Sequence, residues 1–143
     1  MKSEWESADD SPGFLLWRVT LAWQRAMRTA LAPHDLTHVQ FVLLMSTWWL
    51  VEHDGPPTQQ AVADHAGTDP MMTSQVLRKL ADRDLLVRRA DPADARARRL
   101  DLTAAGRDLL TGALADVERA DREYFAAAGE DVAALVRGLR KLA

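Results

Sequence analysis

Four residues, Gly67-Thr68-Asp69-Pro70, constrain this chain more than any other feature. Thr58 opens a short helical pattern, Thr-Gln-Gln-Ala-Val-Ala-Asp-His-Ala, and Gly67 ends it. Glycine enters the left-handed conformation that closes a helix without steric penalty. Asp69 then offers a carboxylate to the orphan amides of a new helix, and Pro70 suits the first helical position because its missing N–H is not needed there. The spacing therefore predicts two short helices joined by a tight turn. The second, Met71 to Arg83, carries its apolar stripe on Met72, Val76, Leu77 and Leu80, and turns Met71, Ser74, Gln75 and Arg78 to its other face.

The segment beyond this second helix has no long apolar run. Arg88 to Thr103 holds five arginines and three aspartates, and each end has the pattern of a short strand, Leu85–Arg89 and Arg98–Leu102. The second end alternates in and out. A tip this polar packs against nothing apolar, so it must face solvent or a polyanion. Helix, turn, helix and an arginine-tipped hairpin form the pattern of a winged helix-turn-helix.

Longer helices flank this unit. Pro12 to Leu31 repeats apolar residues at three- and four-residue steps until Ala32-Pro33-His34-Asp35 breaks it. Thr37-x-x-Gln40 has capping-box spacing, and the helix it opens, to about Val51, is apolar nearly all round, as buried helices are. Thr103 caps a long helix, the pattern loosens over Ala126–Glu130, and Asp131–Leu142 is a last helix. The expected fold is mostly α with a small β-hairpin.

The 143 residues suit one domain with a real core, and 48% apolar content excludes a disordered chain. There is no cysteine, so no disulfide framework, thiolate zinc site or thiol switch is possible. The acidic start MKSEWESADD has no secretory signal pattern, and no apolar stretch is long enough to span a bilayer, so a cytoplasmic protein without a membrane partner is expected. Net charge is −3, yet Gln75 to Arg107 carries nine Lys or Arg against five Asp. A basic middle within an acidic chain is either a local footprint for a polyanion or a mixed-charge surface.

The sequence resembles the MarR (multiple antibiotic resistance regulator) family of bacterial transcription factors. The matching residues are Thr58-Gln59-Gln60-x-Val62-Ala63-Asp64-x-Ala66-Gly67, Thr73-Ser74-Gln75-Val76-Leu77-x-x-Leu80, Leu85-x-Val87-x-Arg89, Asp91-Pro92-x-Asp94-x-Arg96, and Leu102-Thr103-x-x-Gly106-x-x-Leu109-Leu110. Order and spacing fit without gaps, and the flanking helices extend the likeness over nearly the whole chain. The resemblance implies one domain over residues 1–143: dimerisation helices at 12–31 and 103–143, and a winged helix-turn-helix core at 37–102 with its wing at 86–102. It implies a homodimer that binds double-stranded DNA at an inverted-repeat operator, most often as a repressor, and that a small aromatic or phenolic effector releases. One position departs from the pattern: where the family commonly has Gly after the recognition helix, this chain has Asp84, which tolerates positive φ at some cost.

In this scheme Met71, Thr73, Ser74, Gln75 and Arg78 are the recognition-helix candidates. Ser74 and Gln75 suit base edges or phosphates, Arg78 a phosphate, Met71 an apolar contact, and Thr73 either a thymine methyl or a half-buried site. The family motif further implies that Asp94 holds the Arg96 guanidinium and aims it into the minor groove, with Arg98 beside it at the tip; a narrow groove concentrates negative potential. Arg99 is expected to contact phosphate or solvent. Trp17, Trp23, Phe41, Trp48 and Trp49 belong to core and dimer interface, or one or two of them line a ligand pocket; adjacent Trp48 and Trp49 cannot both face one core. His34 and His38 lack an acidic cluster around them, so no metal and no cofactor is expected. No nucleophile elbow, phosphate loop or catalytic carboxylate pair is present, so no enzyme is expected. The alternative to a DNA-binding regulator is a dimeric ligand- or protein-binding module without operator binding.

Overall fold

The computed structural model describes residues 2–143. Helix α1 (Pro12–Leu31) leads through a short 3-10 turn at Ala32–His34 to α2 (His38–Asp54). Then come α3 (Gln59–Ala66), α4 (Pro70–Asp82), strands β1 (Leu86–Ala90) and β2 (Arg98–Leu102), α5 (Ala104–Phe125), and α6 (Val132–Leu142). An additional 3-10 turn at Ala8–Asp10, capped by Ser7, precedes α1.

The caps read from sequence are the caps observed. The Thr37 amide donates to Gln40 Oε1 at 2.9 Å and the Gln40 amide to Thr37 Oγ1 at 3.2 Å, closing the capping box. Thr58 accepts from Ala61, Asp69 from Met72 and Thr103 from Gly106. Gly67 sits at φ 65° and hands the chain from α3 to α4. Asp84 sits at φ 58°, the conformation expected of it; Asp35, at φ 50°, is a second non-glycine residue in the left-handed region, one that the sequence did not single out.

Helix α2 is the centre of the molecule, packed on α1, α3, α4, α5 and β2. It buries Phe41, Leu43 and Leu44 completely or nearly so, and each buried side chain of this size contributes about 1.5–3 kcal/mol. It runs to Asp54, three residues past its expected end, and it is not buried all round: Trp49 is exposed and stacks on His53 at 4.1 Å between ring centroids. That stack lies along the helix surface and needs no partner element.

The hairpin pairs Leu86 with Leu102, Arg88 with Leu100 and Ala90 with Arg98. Strand β1 starts at Leu86, one residue later than the pattern suggests, because Leu85 belongs to the corner between α4 and β1. Helix α5 begins hard against that corner. Thr103 Oγ1 donates to the Asp84 carbonyl at 2.6 Å, and a Cβ on Gly106 would lie 2.0 Å from the Leu85 carbonyl oxygen, so only glycine fits.

Helices α1 and α5 are locked by polar pairs: Trp23 Nε1 donates to Asp121 Oδ1 at 2.7 Å, and the Tyr124 hydroxyl donates to the Val19 carbonyl at 3.1 Å. Helix α6 leaves through a kink at Gly129 and buries none of its residues. Leu135, Val136, Leu139 and Leu142 are exposed on it, as are Phe14, Leu16, Trp17 and Val19 on α1.

Candidate nucleic-acid interface

Helix α4 owes its orientation to the turn before it. Thr73 is completely buried; its hydroxyl bonds the Asp69 carbonyl at 2.8 Å and shares a 2.7 Å hydrogen bond with the Thr68 hydroxyl. Of the two places expected for Thr73, the thymine methyl is ruled out and the half-buried site becomes a fully buried one, so Thr73 leaves the set of DNA-contacting candidates. Its side chain fastens the turn, and none of it lies on the outer surface. Leu77 and Leu80 complete the buried side. On the opposite side Met71 is 72% exposed, Gln75 and Arg78 are exposed, and Ser74 is half-buried. The surface left for a ligand by α4 is therefore Met71, Ser74, Gln75 and Arg78.

The wing tip is two successive side-chain turns. Asp91 Oδ1 accepts from the Ala93 amide and Asp94 Oδ1 from the Arg96 amide, each at 2.9 Å. This corrects the expectation that Asp94 holds the Arg96 guanidinium; it holds the Arg96 backbone instead. The two-residue spacing brings the amide to the carboxylate first, and the guanidinium stays free and exposed. Arg98 is exposed too, with only long 3.4 Å contacts to the carbonyls of Ala95 and Ala97.

Arg99 has a different place from the one expected. Its Nε donates to Asp91 Oδ2 at 2.7 Å, and its Nη1 reaches the Pro56 carbonyl at 3.4 Å. The Leu100 amide donates to the Pro57 carbonyl at 2.8 Å beside it. Arg99 thus ties the wing stem to the loop that enters α3. The Asp91 carboxyl is held below the usual carboxylate range, first by the Ala93 amide and next by Arg99. Sequence reasoning missed this pair because its partners lie on opposite arms of the hairpin.

Among the described residues, Arg78, Lys79, Arg88, Arg89, Arg96 and Arg98 have no carboxylate at ion-pair distance. The paired cations of this region are Arg83, Arg99 and Arg107, bound to Asp35, Asp91, and Glu52 with Asp101. The unneutralised charge therefore sits on the outer face of α4 and on the hairpin.

A cleft of about 1090 Å³ runs between α1, the start of α2 and the helix-turn-helix, lined by Trp23, Arg28, His38, Thr68 and Arg83 among others. The Trp23 and His38 rings meet edge to face at 4.9 Å, and burial pushes the His38 imidazole below its usual pKa, against the pull of nearby Asp121. Arg83 closes one side, donating to the Asp35 carbonyl at 2.7 Å. Of the five aromatic candidates, Trp23 lines this cleft and Trp48 lines a smaller cavity of about 300 Å³ between α2 and α5. Phe41 is a core residue, and Trp17 and Trp49 are exposed and border neither space. The two histidines diverge: His34 Nε2 bonds Asp116 Oδ2 at 2.7 Å, away from the His38–Trp23 contact.

Two helices at a glycine turn, the second with an unobstructed outer face, followed by a cationic hairpin, define a winged helix-turn-helix DNA-binding protein. Comparison with known proteins agrees. Residues 36–97 match the MarR family. The chain is 44% identical over 126 residues to the Bacillus subtilis (strain 168) HTH-type transcriptional regulator YdcH, covering 88% of this chain and 86% of that one. It is 35% identical over 120 residues to the Mycobacterium tuberculosis (strain ATCC 25618 / H37Rv) HTH-type transcriptional repressor Rv2887, covering 83% and 84%. CouR of Rhodococcus jostii RHA1, bound to p-coumaroyl-CoA, superposes with a TM-score of 0.81 at 30% identity over 96% of this chain and 92% of that one. The repressor CouR bound to a 23-mer DNA duplex superposes with a TM-score of 0.85 at 26% identity over 99% of each chain. The chain belongs to the MarR family of transcriptional regulators, which are DNA-binding proteins and not enzymes.

Proposed function

We propose that this protein is a homodimeric repressor that reads an inverted-repeat operator and lets go of it when a small aromatic or phenolic compound occupies the cleft beside Trp23. The observation that carries the DNA half is the set of unpaired guanidinium groups on α4 and the wing. Left without intramolecular acids, Arg78, Arg96 and Arg98 supply the charge that a phosphate backbone neutralises. Met71, Ser74 and Gln75 meet base edges in the major groove, and Arg78 meets phosphate one turn further on. Arg96, presented by the Asp94 turn, enters the adjacent minor groove with Arg98 at its side.

The dimer forms through residues 12–31 and 103–143. Their exposed apolar side chains on α1 and α6 make a surface that a monomer would leave in water, and contiguous patches of this kind mark association sites. The aromatic ligand is supported by the cleft's edge-to-face Trp23 and His38, and by the ligand bound in CouR. A regulator of transcription works where the chromosome is, and we place this one in the cytoplasm. Among the described residues no helix is long and apolar enough to cross a membrane.

Selection of bound sequences from a random duplex pool tests the reading. The expected product is an inverted repeat with half-sites about 10 bp apart. A pool that shows no enrichment favours the rival, a dimeric ligand- or protein-binding module without an operator.

A further inference from the structure

We propose that Met71, with Met72 behind it, is an oxidation site at which a hydroperoxide weakens DNA binding. This rests on the reading of α4 as the recognition helix. The chain has no cysteine, so the thioethers are its oxidisable sulfur. Among the described residues there are four methionines, and their placement is uneven. Met27 is completely buried in the core and Met45 is half-buried between α2 and α5. Met71 is 72% exposed and Met72 is 38% exposed, both in the first turn of α4. Among the described residues, the exposed thioethers are thus the two beside the base-reading residues.

The reaction needs only the peroxide. A sulfur lone pair attacks one peroxide oxygen, the O–O bond breaks, and the departing hydroxide takes the remaining proton to leave as water. Sulfur is oxidised by two electrons to the sulfoxide, and the peroxide is reduced by two. The product keeps the length of the side chain but replaces an apolar, polarisable atom with a polar S=O acceptor. The major-groove edge is rich in acceptors: purine N7, guanine O6 and thymine O4. A second acceptor aimed at them repels, and the apolar contact with a thymine methyl is lost. The helix itself is undisturbed, because Pro70 and the Asp69 cap hold its first turn through the backbone. Enzymatic reduction of the sulfoxide reverses the change.

The experiment treats the full-length protein with excess hydrogen peroxide and follows each methionine by peptide mass, with and without the operator duplex obtained by selection. The Met71–Met72 peptide should gain oxygen before the peptides of Met27 and Met45, and the specific duplex should slow that gain. Affinity for the duplex should fall about tenfold on oxidation, a loss of the size that one base-edge contact carries. Methionine sulfoxide reductases of both stereospecificities should restore it. Met71→Leu/Met72→Leu, compared with itself before and after peroxide, should show no fall, whereas Met45→Leu should remain sensitive. Oxidation of Met27 or Met45 first, no protection by the specific duplex, or unchanged affinity after complete oxidation of Met71 would each overturn the proposal. A chain that selects no DNA overturns the underlying reading, and is told apart from these outcomes because the order of oxidation is still read.

Discussion

Arg99 reaches across the hairpin and donates its Nε to Asp91 Oδ2 at 2.7 Å, while its other end touches the Pro56 carbonyl. Among the described residues Asp91 is the one charged residue that is buried, and the hydrogen bond from the half-exposed Arg99 is charge-assisted at both ends. It fixes the wing relative to the loop entering α3. Arg96 and Arg98, three and one residues before it, are left with no such tie.

The two arginines should therefore fail differently. Arg96→Ala should weaken operator binding by about 1–3 kcal/mol per half-site while the wing stays as resistant to protease as before. Arg99→Ala should weaken binding through a loosened wing, seen as faster cleavage between residues 91 and 98 in limited proteolysis. Asp94→Asn keeps an acceptor for the Arg96 amide and should bind nearly as the parent does; Asp94→Ala should not.

Acid should loosen the same clamp. The folded Asp91 carboxyl lies below its ordinary value, as does that of Asp116, held first by its bond to His34 and next by Arg119. A depressed folded pKa means the unfolded chain takes up protons first. The stabilisation is present above the unfolded carboxylate value of about 3.9 and is lost as pH falls through the folded value. His38, depressed by burial, adds a separate loss that begins as pH falls below about 6.5. Urea denaturation from neutral pH downward should show both slopes. Asp91→Asn should reduce the lower one to the part that Asp116 contributes and leave the upper one alone.

At the corner between α4 and β1, two neighbouring backbone sites should respond in opposite directions. Asp84 at φ 58° carries a left-handed penalty, so Asp84→Gly should stabilise by up to about 1 kcal/mol. Gly106 has no room for a Cβ against the Leu85 carbonyl, so Gly106→Ala should destabilise by about 1–3 kcal/mol or more. Equilibrium denaturation reads both.

How much of this was legible in the sequence depends on range. Thr37, Thr58, Asp69 and Thr103 each act on an amide three residues away, and Gly67 on its own φ, so the helices could be placed from local chemistry alone. Asp94 was legible as a partner of Arg96 but not in which group it holds, because amide and guanidinium of the same residue are both within its reach. The Asp91–Arg99 pair depends on hairpin register, which local pattern does not specify. The split between Trp48 and Trp49 was legible as a split, since neighbours on a helix point about 100° apart; which one faces inward is decided by α5. Thr73 misled because a polar residue among base-reading candidates looks the same in sequence whether its hydroxyl faces DNA or fastens a turn.

The apolar side chains exposed on α1 and α6 lead to a prediction about assembly. The protein should sediment as a dimer at micromolar concentration, and Leu139→Glu, which puts a charge on the exposed apolar side of α6, should shift it toward monomer. Operator binding should fall with the dimer, because each half-site alone is held by one lobe.

The spacing of the two lobes on DNA is the most direct measure of the central claim. Affinity is compared for the selected inverted repeat and for the same repeat with roughly 5 bp, half a helical turn, inserted between its halves. A two-fold dimer with one α4 per major groove cannot follow the second half-site round to the opposite side of the duplex. The account predicts that the insertion lowers affinity to the level of unrelated DNA. Equal affinity for both duplexes would contradict it.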